Sequence, residues 1–302
     1  MEDIIYHAPA KVNFLLRIGK KGQSNFHKIQ SLMRKIGIFD KIYFKITDGA
    51  YKIRVVSGEV IKKSSMNADI KSISNENNIV IKAAKGFFAK SNIADKGVDV
   101  LIEKNIPFNA GLGGGSSDAA GLLSKLNEAF GNVLNRRNMI ELALDIGSDV
   151  PFFLTAKDAV VSGFGENIIE IKEGTLPKYF IVLILPDFGI NTKEAYAFYD
   201  DFLLTNSMNY YNIQYSDFQC LDFKILEFIN DFESVMFEKY PILREIKESF
   251  ISYGAEASLL SGSGSAVFGA FKAFDSAGTY VDNLKSFPFH KRVALSSLSA
   301  TL

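Results

Sequence analysis

The sequence is poor in cysteine, in charge of one sign and in long apolar runs, and each scarcity excludes a class of protein. Cys220 is the only cysteine, which excludes an internal disulfide framework and a cysteine-cluster metal site and fits a reducing compartment. Basic and acidic residues number 34 each, so no net field would draw the chain to nucleic acid or to an anionic membrane. No run of about 18 apolar residues occurs, and Glu2 and Asp3 stand where a leader would be basic and then apolar. We therefore expect a cytoplasmic protein that binds neither nucleic acid nor membrane.

What the sequence does contain is enough apolar material for a large folded protein. The chain has 302 residues, of which 47% are hydrophobic and 23% charged. This length exceeds the usual size of one hydrophobic core, and the pattern of the chain changes near residue 165. We therefore predict two domains, residues 1–165 and residues 166–302.

Strands and helices alternate irregularly along the chain. Val12, Phe14, Leu16 and Ile18 are apolar at a period of two, which predicts a strand with Lys11 and Asn13 together on its other face. Further strands are predicted around residues 42–46, 98–102, 179–185 and 257–271, and helices around residues 79–90, 118–130, 138–146, 232–240 and 242–250. Since there is no strict alternation, an α+β fold is favoured over a doubly wound sheet.

The strongest chemical signal is the glycine-rich segment Pro107–Ser117, which lies between a predicted strand and an amphipathic helix. Glycines let the backbone N–H groups approach an anion, and the N-terminus of the following helix adds a partial positive charge. The segment is neither a Walker loop nor a clean dinucleotide fingerprint, because Gly-Lys-Ser/Thr and a parallel βαβ pattern are both missing. It is typical of a phosphate-binding loop, although a glycine-rich stretch alone is also compatible with a flexible turn.

Two further segments suit the same chemistry. Gly147-Ser148-Asp149-Val150-Pro151 holds Asp149 at a rigid element boundary, where the carboxylate could act on a substrate or could simply cap a helix. Ser261-Gly262-Ser263-Gly264-Ser265 opens a second glycine-rich turn.

Taken together, these segments resemble the GHMP small-molecule kinases. Ala10-Lys11-Val12-Asn13 resembles the first family motif, Pro107–Ser117 with Asp118-Ala119-Ala120 the second and Ser261–Ser265 the third; Gly147–Phe153 and Gly163–Glu166 look like further family segments. The resemblance implies a two-lobed α+β fold. Residues 1–165 would form an N-terminal ATP-binding and catalytic domain, and residues 166–302 a C-terminal substrate-binding domain of the ferredoxin-like type.

The resemblance also implies a role for particular side chains. Lys11 and Asp149 are expected to be catalytic, with Asp149 accepting the proton of the acceptor hydroxyl and the Lys11 ammonium keeping that carboxylate charged. The residues expected to contact the nucleotide are Asn78, Lys104, Pro107, Asn109, Ala110, Gly111, Leu112, Gly113, Gly114, Gly115, Ser116 and Ser117. The residues expected to contact the acceptor are Asn13, Phe26, His27, Thr192 and Tyr196.

Within the family, the resemblance is greatest to members of the non-mevalonate isoprenoid route, which phosphorylate the 2-hydroxyl of 4-diphosphocytidyl-2-C-methyl-D-erythritol. We expect ATP as donor, with Mg²⁺ held mainly by phosphates and water, no metal site made by the protein, and a monomer or homodimer. Two alternatives remain open. One is a GHMP kinase for homoserine, mevalonate or a sugar, and the other is a non-catalytic nucleotide-binding protein.

One segment departs from the family pattern. Where Asp-Gly-Tyr-His-Glu is expected, this chain has Ser24-Asn25-Phe26-His27-Lys28, which keeps the histidine but loses a phenol hydroxyl and a carboxylate. The departure bears on the choice of acceptor and leaves the kinase class unchanged.

Overall fold

The structure is a computed structural model, and it describes residues 4–22, 26–62, 70–213, 228–287 and 293–300. Cys220, Ser24 and Asn25 lie outside the described residues. The described strands are β1 (Ile4–Lys21), β2 (His27–Thr47), β3 (Tyr51–Ser57), β4 (Gly97–Lys104), β5 (Ala159–Gly163), β6 (Asn167–Glu170), β7 (Phe180–Pro186), β8 (Ile229–Asn230), β9 (Ala257–Leu260), β10 (Val267–Phe271) and β11 (Val293–Ala300).

Helices are interspersed among these strands, so the predicted α+β class is confirmed. The described α-helices are α1 (Glu59–Lys62), α2 (Ile70–Ile73), α3 (Ile79–Ser91), α4 (Gly114–Ala129), α5 (Arg136–Ile146), α6 (Val150–Phe153), α7 (Thr192–Thr205), α8 (Glu233–Lys239), α9 (Pro241–Ser252) and α10 (Phe274–Asp282), followed by a 3₁₀ turn at Leu284–Ser286. None of the described helices is both long and apolar enough to cross a lipid bilayer.

The chain divides into two compact units, each made of several segments. Unit 1 comprises Met1–Ala10, Ile38–Pro107 and Gly113–Ala156, and unit 2 comprises Lys11–Gly37, Phe108–Leu112 and Lys157–Leu302. The long strands β1 and β2 therefore contribute residues to both units. The single boundary expected near residue 165 stays a prediction about how functions divide along the chain.

Unit 1 is a small sheet covered by helices. β4 pairs in parallel with β3 and antiparallel with the second half of β2, where Lys41 faces Glu103 and Thr47 faces Gly97. Helix α3 packs against α4 and α5, and α4 packs against α6. Leu122, Leu123 and Leu126 form the buried stripe of α4, as the spacing of its apolar residues predicts.

Helix α4 begins four residues earlier than its sequence predicts. Glycine is a poor helix former, so the sequence indicates a start at Asp118. In the structure Gly113 takes a left-handed conformation (φ 71°) and the helix begins at Gly114. Ser116 and Ser117 consequently belong to the first turn of α4 rather than to the loop before it.

Unit 2 contains an antiparallel sheet in the order β11-β7-β10-β9. Residues Ile181–Leu185 of β7 are all buried, so the strand is covered on both faces and its sequence is continuously apolar. In the same unit the first half of β2 pairs with β5, β5 pairs with β6, and β1 pairs in parallel with the short β8 through Leu15–Ile229 and Leu16–Asn230. Helix α9 packs on β9 and β10, next to α8.

Candidate active site

The glycine-rich segment Pro107–Ser117 connects β4 to α4 through positive φ angles at Asn109, Gly111 and Gly113. The first N–H groups of a helix have no partner inside the helix, and the N-cap residue Gly113 has no side chain to supply one. Gly115 is exposed and Ser116 is half-buried, so this first turn reaches the surface. The segment therefore offers free backbone donors and a helix N-terminus to an anion.

A buried charged network ties both flanks of this segment together within unit 1. Lys104, only 2% exposed, donates through Nζ to Asp40 and to Asp118 Oδ2 (2.8 Å for the second contact). Asp40 Oδ1 also accepts hydrogen bonds from the backbone N–H groups of Asn105 (2.6 Å) and Ile106 (2.8 Å). The network thus fixes the backbone just before the loop and the helix just after it.

Two members of this network, Lys104 and Asp118, have pKa values above their ordinary values. Burial lowers the pKa of Lys104, but the Asp118 and Asp40 carboxylates outweigh it and leave that pKa above its ordinary value. Burial raises the pKa of Asp118 well above its ordinary value, against the opposing effect of Lys104, and Asp40 raises it further. Among the described residues, neither Asp118 Oδ1 nor the buried Ser117 Oγ has a hydrogen-bond partner. Lys104 therefore stays charged, and Asp118 binds a proton more readily than an ordinary carboxylate.

The first helical glycine lies directly against this network. A Cβ on Gly114 would stand 2.9 Å from Ile106 Cγ2 and 3.2 Å from Lys104 Nζ, whereas a Cβ on Gly115 would meet only Ile79 Cγ2 at 3.6 Å. The two adjacent glycines thus differ in the space available for a side chain. Gly114 is needed for close packing inside unit 1, and the surface position of Gly115 leaves room for a methyl group.

The middle of the loop, Phe108–Leu112, belongs to unit 2 and is held by the second glycine-rich turn. Ser261 Oγ donates to Gly111 O (3.0 Å), and the N–H of Ala266 donates to Ala110 O (3.2 Å). Gly111 has a φ of 75°, and a Cβ there would collide with the carbonyl oxygen of Ser261. The two glycine-rich segments that the sequence singled out are therefore in direct contact.

Lys11 and Asn13 lie in the same unit and form a buried polar row. Lys11 Nζ donates to Asn13 Oδ1 (2.6 Å), and Asn13 Nδ2 donates to Ser31 Oγ (2.8 Å). This confirms that the two side chains share one face of β1. The Lys11 backbone N–H donates to Leu112 O (3.0 Å), which joins β1 to the loop.

Asp149 immediately precedes α6 in unit 1, with Pro151 in the first turn of that helix. Its carboxylate makes no capping hydrogen bond to α6, and the residue is half-buried. The helix-cap interpretation left open by the sequence is therefore not supported, and the role of Asp149 as a proton acceptor stays a prediction.

Two of the residues expected to contact the acceptor, His27 and Tyr196, form the centre of an aromatic and charged cluster in unit 2. The rings of His27 and Tyr196 stack with centroids 4.9 Å apart and an interplanar angle of 6°. His27 Nδ1 lies 2.9 Å from Gly19 O, and Nε2 lies 3.1 Å from Asp200 Oδ1. Because a carbonyl can only accept, Nδ1 carries a proton in this arrangement. Both ring nitrogens thus face acceptors within unit 2.

Asp200 organises the rest of this cluster. It accepts a hydrogen bond from Tyr210 Oη (2.7 Å) and pairs with Lys21 Nζ (2.5 Å). Burial raises the pKa of Asp200, but the hydrogen bonds from Lys21 and Tyr210 outweigh it and leave that pKa below its ordinary value. The carboxylate is therefore charged at neutral pH and lies close to His27 Nε2, which makes no hydrogen bond among the described residues.

Phe26 and Thr192 are two further residues expected to contact the acceptor. Phe26 is 70% exposed, which is a large apolar ring presented to solvent. Thr192 is the first residue of α7, and its hydroxyl lies 3.1 Å from Ser263 Oγ in the second glycine-rich turn.

Comparison with known proteins decides between the families that could carry such a site. The GHMP kinases N terminal domain matches residues 78–157, and the GHMP kinases C terminal domain matches residues 218–288. The 4-diphosphocytidyl-2-C-methyl-D-erythritol kinase of Syntrophotalea carbinolica is 34% identical over 92% of this chain and 93% of its own length. The enzyme of the same name from Thermodesulfovibrio yellowstonii is 38% identical over 87% of each chain. This chain belongs to the GHMP kinases, in the family of these relatives.

Solved structures agree with that assignment. A crystal structure of a 4-(cytidine 5'-diphospho)-2C-methyl-D-erythritol kinase superposes with a TM-score of 0.73 at 25% identity, over 99% of this chain and 100% of that one. The homoserine kinase of Cytophaga hutchinsonii superposes with a TM-score of 0.71 at 15% identity, over 100% of this chain and 95% of that one. The second match shows only that the GHMP kinase fold is shared.

Two residues expected to contact the nucleotide have other partners in this GHMP kinase. Asn78 caps α3 by accepting from the N–H of Val80 (2.9 Å), and it donates to Ile73 O (2.8 Å). Lys104 is buried between Asp40 and Asp118. The polar groups of both side chains thus serve the fold of unit 1, and a contact of either residue with the nucleotide stays a prediction.

Sequence reasoning missed several polar residues that organise the site. Asp40, Asp200 and Asn230 are each followed by a charged residue, and nothing in their local spacing distinguishes them from surface residues. Asp118 does carry a signal, because it follows Ser117 inside a segment whose next apolar positions are buried. Within the described part of the chain, no cluster of three histidine, cysteine or acidic residues is arranged to hold a metal ion.

Proposed function

We propose that this GHMP kinase transfers the γ-phosphate of ATP to the 2-hydroxyl of 4-diphosphocytidyl-2-C-methyl-D-erythritol. The observation that carries the proposal is the joined pair of glycine-rich segments, Pro107–Ser117 and Ser261–Ser265, in a chain that is 34–38% identical to kinases named for this acceptor. A helix N-terminus beside a glycine loop suits the phosphates of a nucleotide.

The proposed chemistry is a single displacement at phosphorus. The acceptor oxygen forms a bond to the γ-phosphorus while the bond from that phosphorus to the β–γ bridging oxygen breaks, which releases ADP. Asp149 takes the hydroxyl proton, and the Lys11 ammonium offsets negative charge on the transferring group. Because such transition states are loose, positioning and charge neutralisation contribute more than base strength.

Magnesium would enter with ATP and would neutralise charge on the phosphates. Mg²⁺ prefers oxygen ligands and usually keeps several waters. The hydroxyl of the half-buried Ser116, in the first turn of α4, is the oxygen of the loop that fits this preference best. Ser117 is fully buried and suits it less.

The acceptor side rests on the cluster around His27 and Tyr196. Because Nδ1 donates to Gly19 O and Nε2 is buried beside Asp200, the edge of a cytosine would be read by the His27 backbone rather than by its ring. The exposed Phe26 ring and the Tyr196 ring supply stacking surfaces without a hydroxyl at position 26.

ADP release from purified enzyme with ATP and Mg²⁺ tests the proposal, with the cytidyl acceptor, homoserine, mevalonate and no acceptor run in parallel. We expect ADP release only with the cytidyl acceptor. Asp149→Asn should lower turnover by about 10²–10⁴-fold while ATP still binds, as expected for loss of a positioned base. Preferential turnover of homoserine or mevalonate would favour another GHMP kinase, and ATP binding with no turnover would favour a non-catalytic protein.

A further inference from the structure

A short segment in unit 2, Asn230–Glu233, contacts the second glycine-rich turn and the end of the strand that leads into it. Asn230 ends β8 and is only 3% exposed. Its Nδ2 donates to the carbonyl oxygens of both Leu260 (2.7 Å) and Gly262 (2.8 Å), and its Oδ1 accepts from the N–H of Phe232 (3.0 Å). Each polar atom of this buried amide is thus used, and its donor bonds go to the last residue of β9 and to Gly262 in the turn.

Glu233 completes the contact from the start of α8. Its Oε1 accepts a hydrogen bond from the N–H of Leu260 (2.9 Å), and its Oε2 pairs with Lys247 Nζ (2.5 Å). Leu260 is therefore bound at its N–H by Glu233 and at its carbonyl by Asn230. The residue that leads into the glycine turn has both backbone polar groups fixed by one segment.

The second glycine-rich turn contacts two groups that the proposed function requires, the Gly111 backbone and the Lys11 ammonium. A Cβ on Gly262 would stand 3.1 Å from Gly111 O and 3.2 Å from Lys11 Nζ, so the backbone of Gly262 lies against both. Ser261, next to it, binds Gly111 O directly. A displacement of the turn would therefore move the middle of the loop and the surroundings of the Lys11 ammonium together.

We propose that Asn230 is a positioning residue that sets the Gly262 turn, and through it the Gly111 backbone and the Lys11 ammonium. The inference rests on the proposed function, since it assumes that Lys11 and the loop serve phosphoryl transfer. Misplacement of reacting groups by about 1 Å is enough to cost about a hundredfold in rate. A buried amide that donates to the carbonyl before the turn and to one inside it suits this task, because no other neutral side chain of similar size can make both bonds.

The test compares Asn230→Asp with Asn127→Asp. Asn127 is a matched control, because it is also a buried asparagine with two bonds to one backbone residue, Nδ2 to Leu134 O (2.9 Å) and Oδ1 from Leu134 N (2.9 Å). In both variants a carboxylate oxygen replaces the Nδ2 donor and faces a carbonyl. Only Asn230 is in contact with the glycine turn.

Three quantities are measured for each variant: stability in urea, ATP affinity by calorimetry, and kcat with the cytidyl acceptor. We expect similar losses of stability, but only Asn230→Asp should weaken ATP binding about tenfold and lower kcat by about 10- to 100-fold. Equal effects of the two variants on ATP affinity and kcat, or values for Asn230→Asp within about threefold of the parent, would overturn the inference.

Two further arms keep the outcome decisive. If Asn230→Asp does not fold, Asn230→Ala is used, since it removes the donor without adding a charge. If the parent binds ATP but does not phosphorylate the cytidyl acceptor, the proposed function fails. The positioning of the loop by Asn230 is then judged from ATP affinity alone, where weaker binding in Asn230→Asp than in Asn127→Asp supports it and equal binding contradicts it.

Discussion

The two parts of the glycine-rich segment are held by networks of opposite character. In unit 1 the flanks of the loop are joined by three buried charged side chains, Asp40, Lys104 and Asp118. In unit 2 the middle of the loop is held by neutral hydrogen bonds to Ser261 and Ala266, and the turn that carries these residues is bound by the neutral amide of Asn230.

Because the two networks differ in charge, substitutions in them should have different effects on the protein. Removing one member of a buried charged network leaves an uncompensated charge and is strongly destabilising. Removing one neutral hydrogen bond costs less and leaves the fold intact. Changes in unit 1 should therefore appear mainly as lost stability, and changes in the neutral network of unit 2 mainly as altered ATP binding and turnover.

The largest expected effect is that of Lys104→Met. The substitution keeps the length of the side chain but leaves Asp40 and Asp118 without their shared cation, so the free energy of unfolding should fall by about 3–5 kcal/mol in urea titrations. Lys125→Met is the matched control on α4, because the Lys125–Glu128 pair is on the surface (2.5 Å) and should contribute at most about 1 kcal/mol.

A multiple substitution tests whether the loss of stability comes from the unpaired charges or from the changed shape of the side chain. Lys104→Met combined with Asp118→Leu and Asp40→Asn removes all three charges, while the amide oxygen at position 40 can still accept from the N–H groups of Asn105 and Ile106. Because replacing buried ionic groups by uncharged side chains is often neutral, most of the lost stability should return. A Lys104→Met protein within about 1 kcal/mol of the parent would show that the charged network does not hold unit 1 together.

The sequence predicts much of this site because its signals are local. The strand alternation placed Lys11 and Asn13 on one face, and the glycine pattern identified both segments that meet at Gly111 and Ser261. Both features depend on neighbours within a few residues. Features that depend only on nearby residues can therefore be predicted from the sequence before the distant contacts are known.

The remaining features depend on partners that are far apart in the chain. Lys104 looks like a solvated or ligand-binding cation until Asp40, 64 residues away, is placed beside it. Asn230 acquires its role only through Leu260 and Gly262, 30 and 32 residues later. The start of α4 that the sequence predicts is also wrong. A left-handed Gly113 lets the helix begin among glycines, which helix propensity alone disfavours.

The next effect compares Gly111→Ala with Gly115→Ala. Gly111 has a positive φ and its new Cβ would collide with Ser261 O, so we expect a loss of about 1–3 kcal/mol in stability and a marked rise in the KM for ATP. At Gly115 the nearest atom is 3.6 Å away, and alanine should stabilise the helix by up to about 1 kcal/mol. Chemical denaturation and ATP titrations measure both. Equal tolerance at the two positions would contradict the contact between the loop and the second turn.

Tyr196→Ala tests whether the aromatic cluster of unit 2 also contributes to binding of the cytidyl acceptor. Tyr196 stacks on His27 and meets Phe232 edge-on at 4.9 Å. Stacking of a base on an aromatic ring contributes roughly 1–3 kcal/mol, so the KM for the cytidyl acceptor should rise by about five- to a hundredfold while ATP affinity barely moves. A melting scan is the control, because loss of a purely structural aromatic would lower stability by about 3–5 kcal/mol and impair both substrates. An unchanged acceptor KM in a folded variant would argue for a different acceptor alcohol.

The smallest effect concerns the pH dependence of stability in unit 1. Since burial raises the pKa of Asp118, the folded protein binds more protons at this group than the unfolded chain does. Its contribution to stability is therefore complete below the ordinary carboxyl pKa near 4 and is lost as the pH rises through the raised value. Asp118→Asn cannot titrate, so its unfolding free energy in urea should fall less with rising pH than that of the parent. Parallel pH profiles for parent and variant would contradict this.

The proposed function depends most directly on where the γ-phosphate of ATP goes. ³¹P NMR of purified enzyme with ATP, Mg²⁺ and 4-diphosphocytidyl-2-C-methyl-D-erythritol follows this directly. We predict a new phosphomonoester on the acceptor that forms in step with ADP, one for one, and that is almost absent with Asp149→Asn. Formation of ADP with inorganic phosphate alone, or no consumption of ATP by the folded protein, would contradict the proposed function.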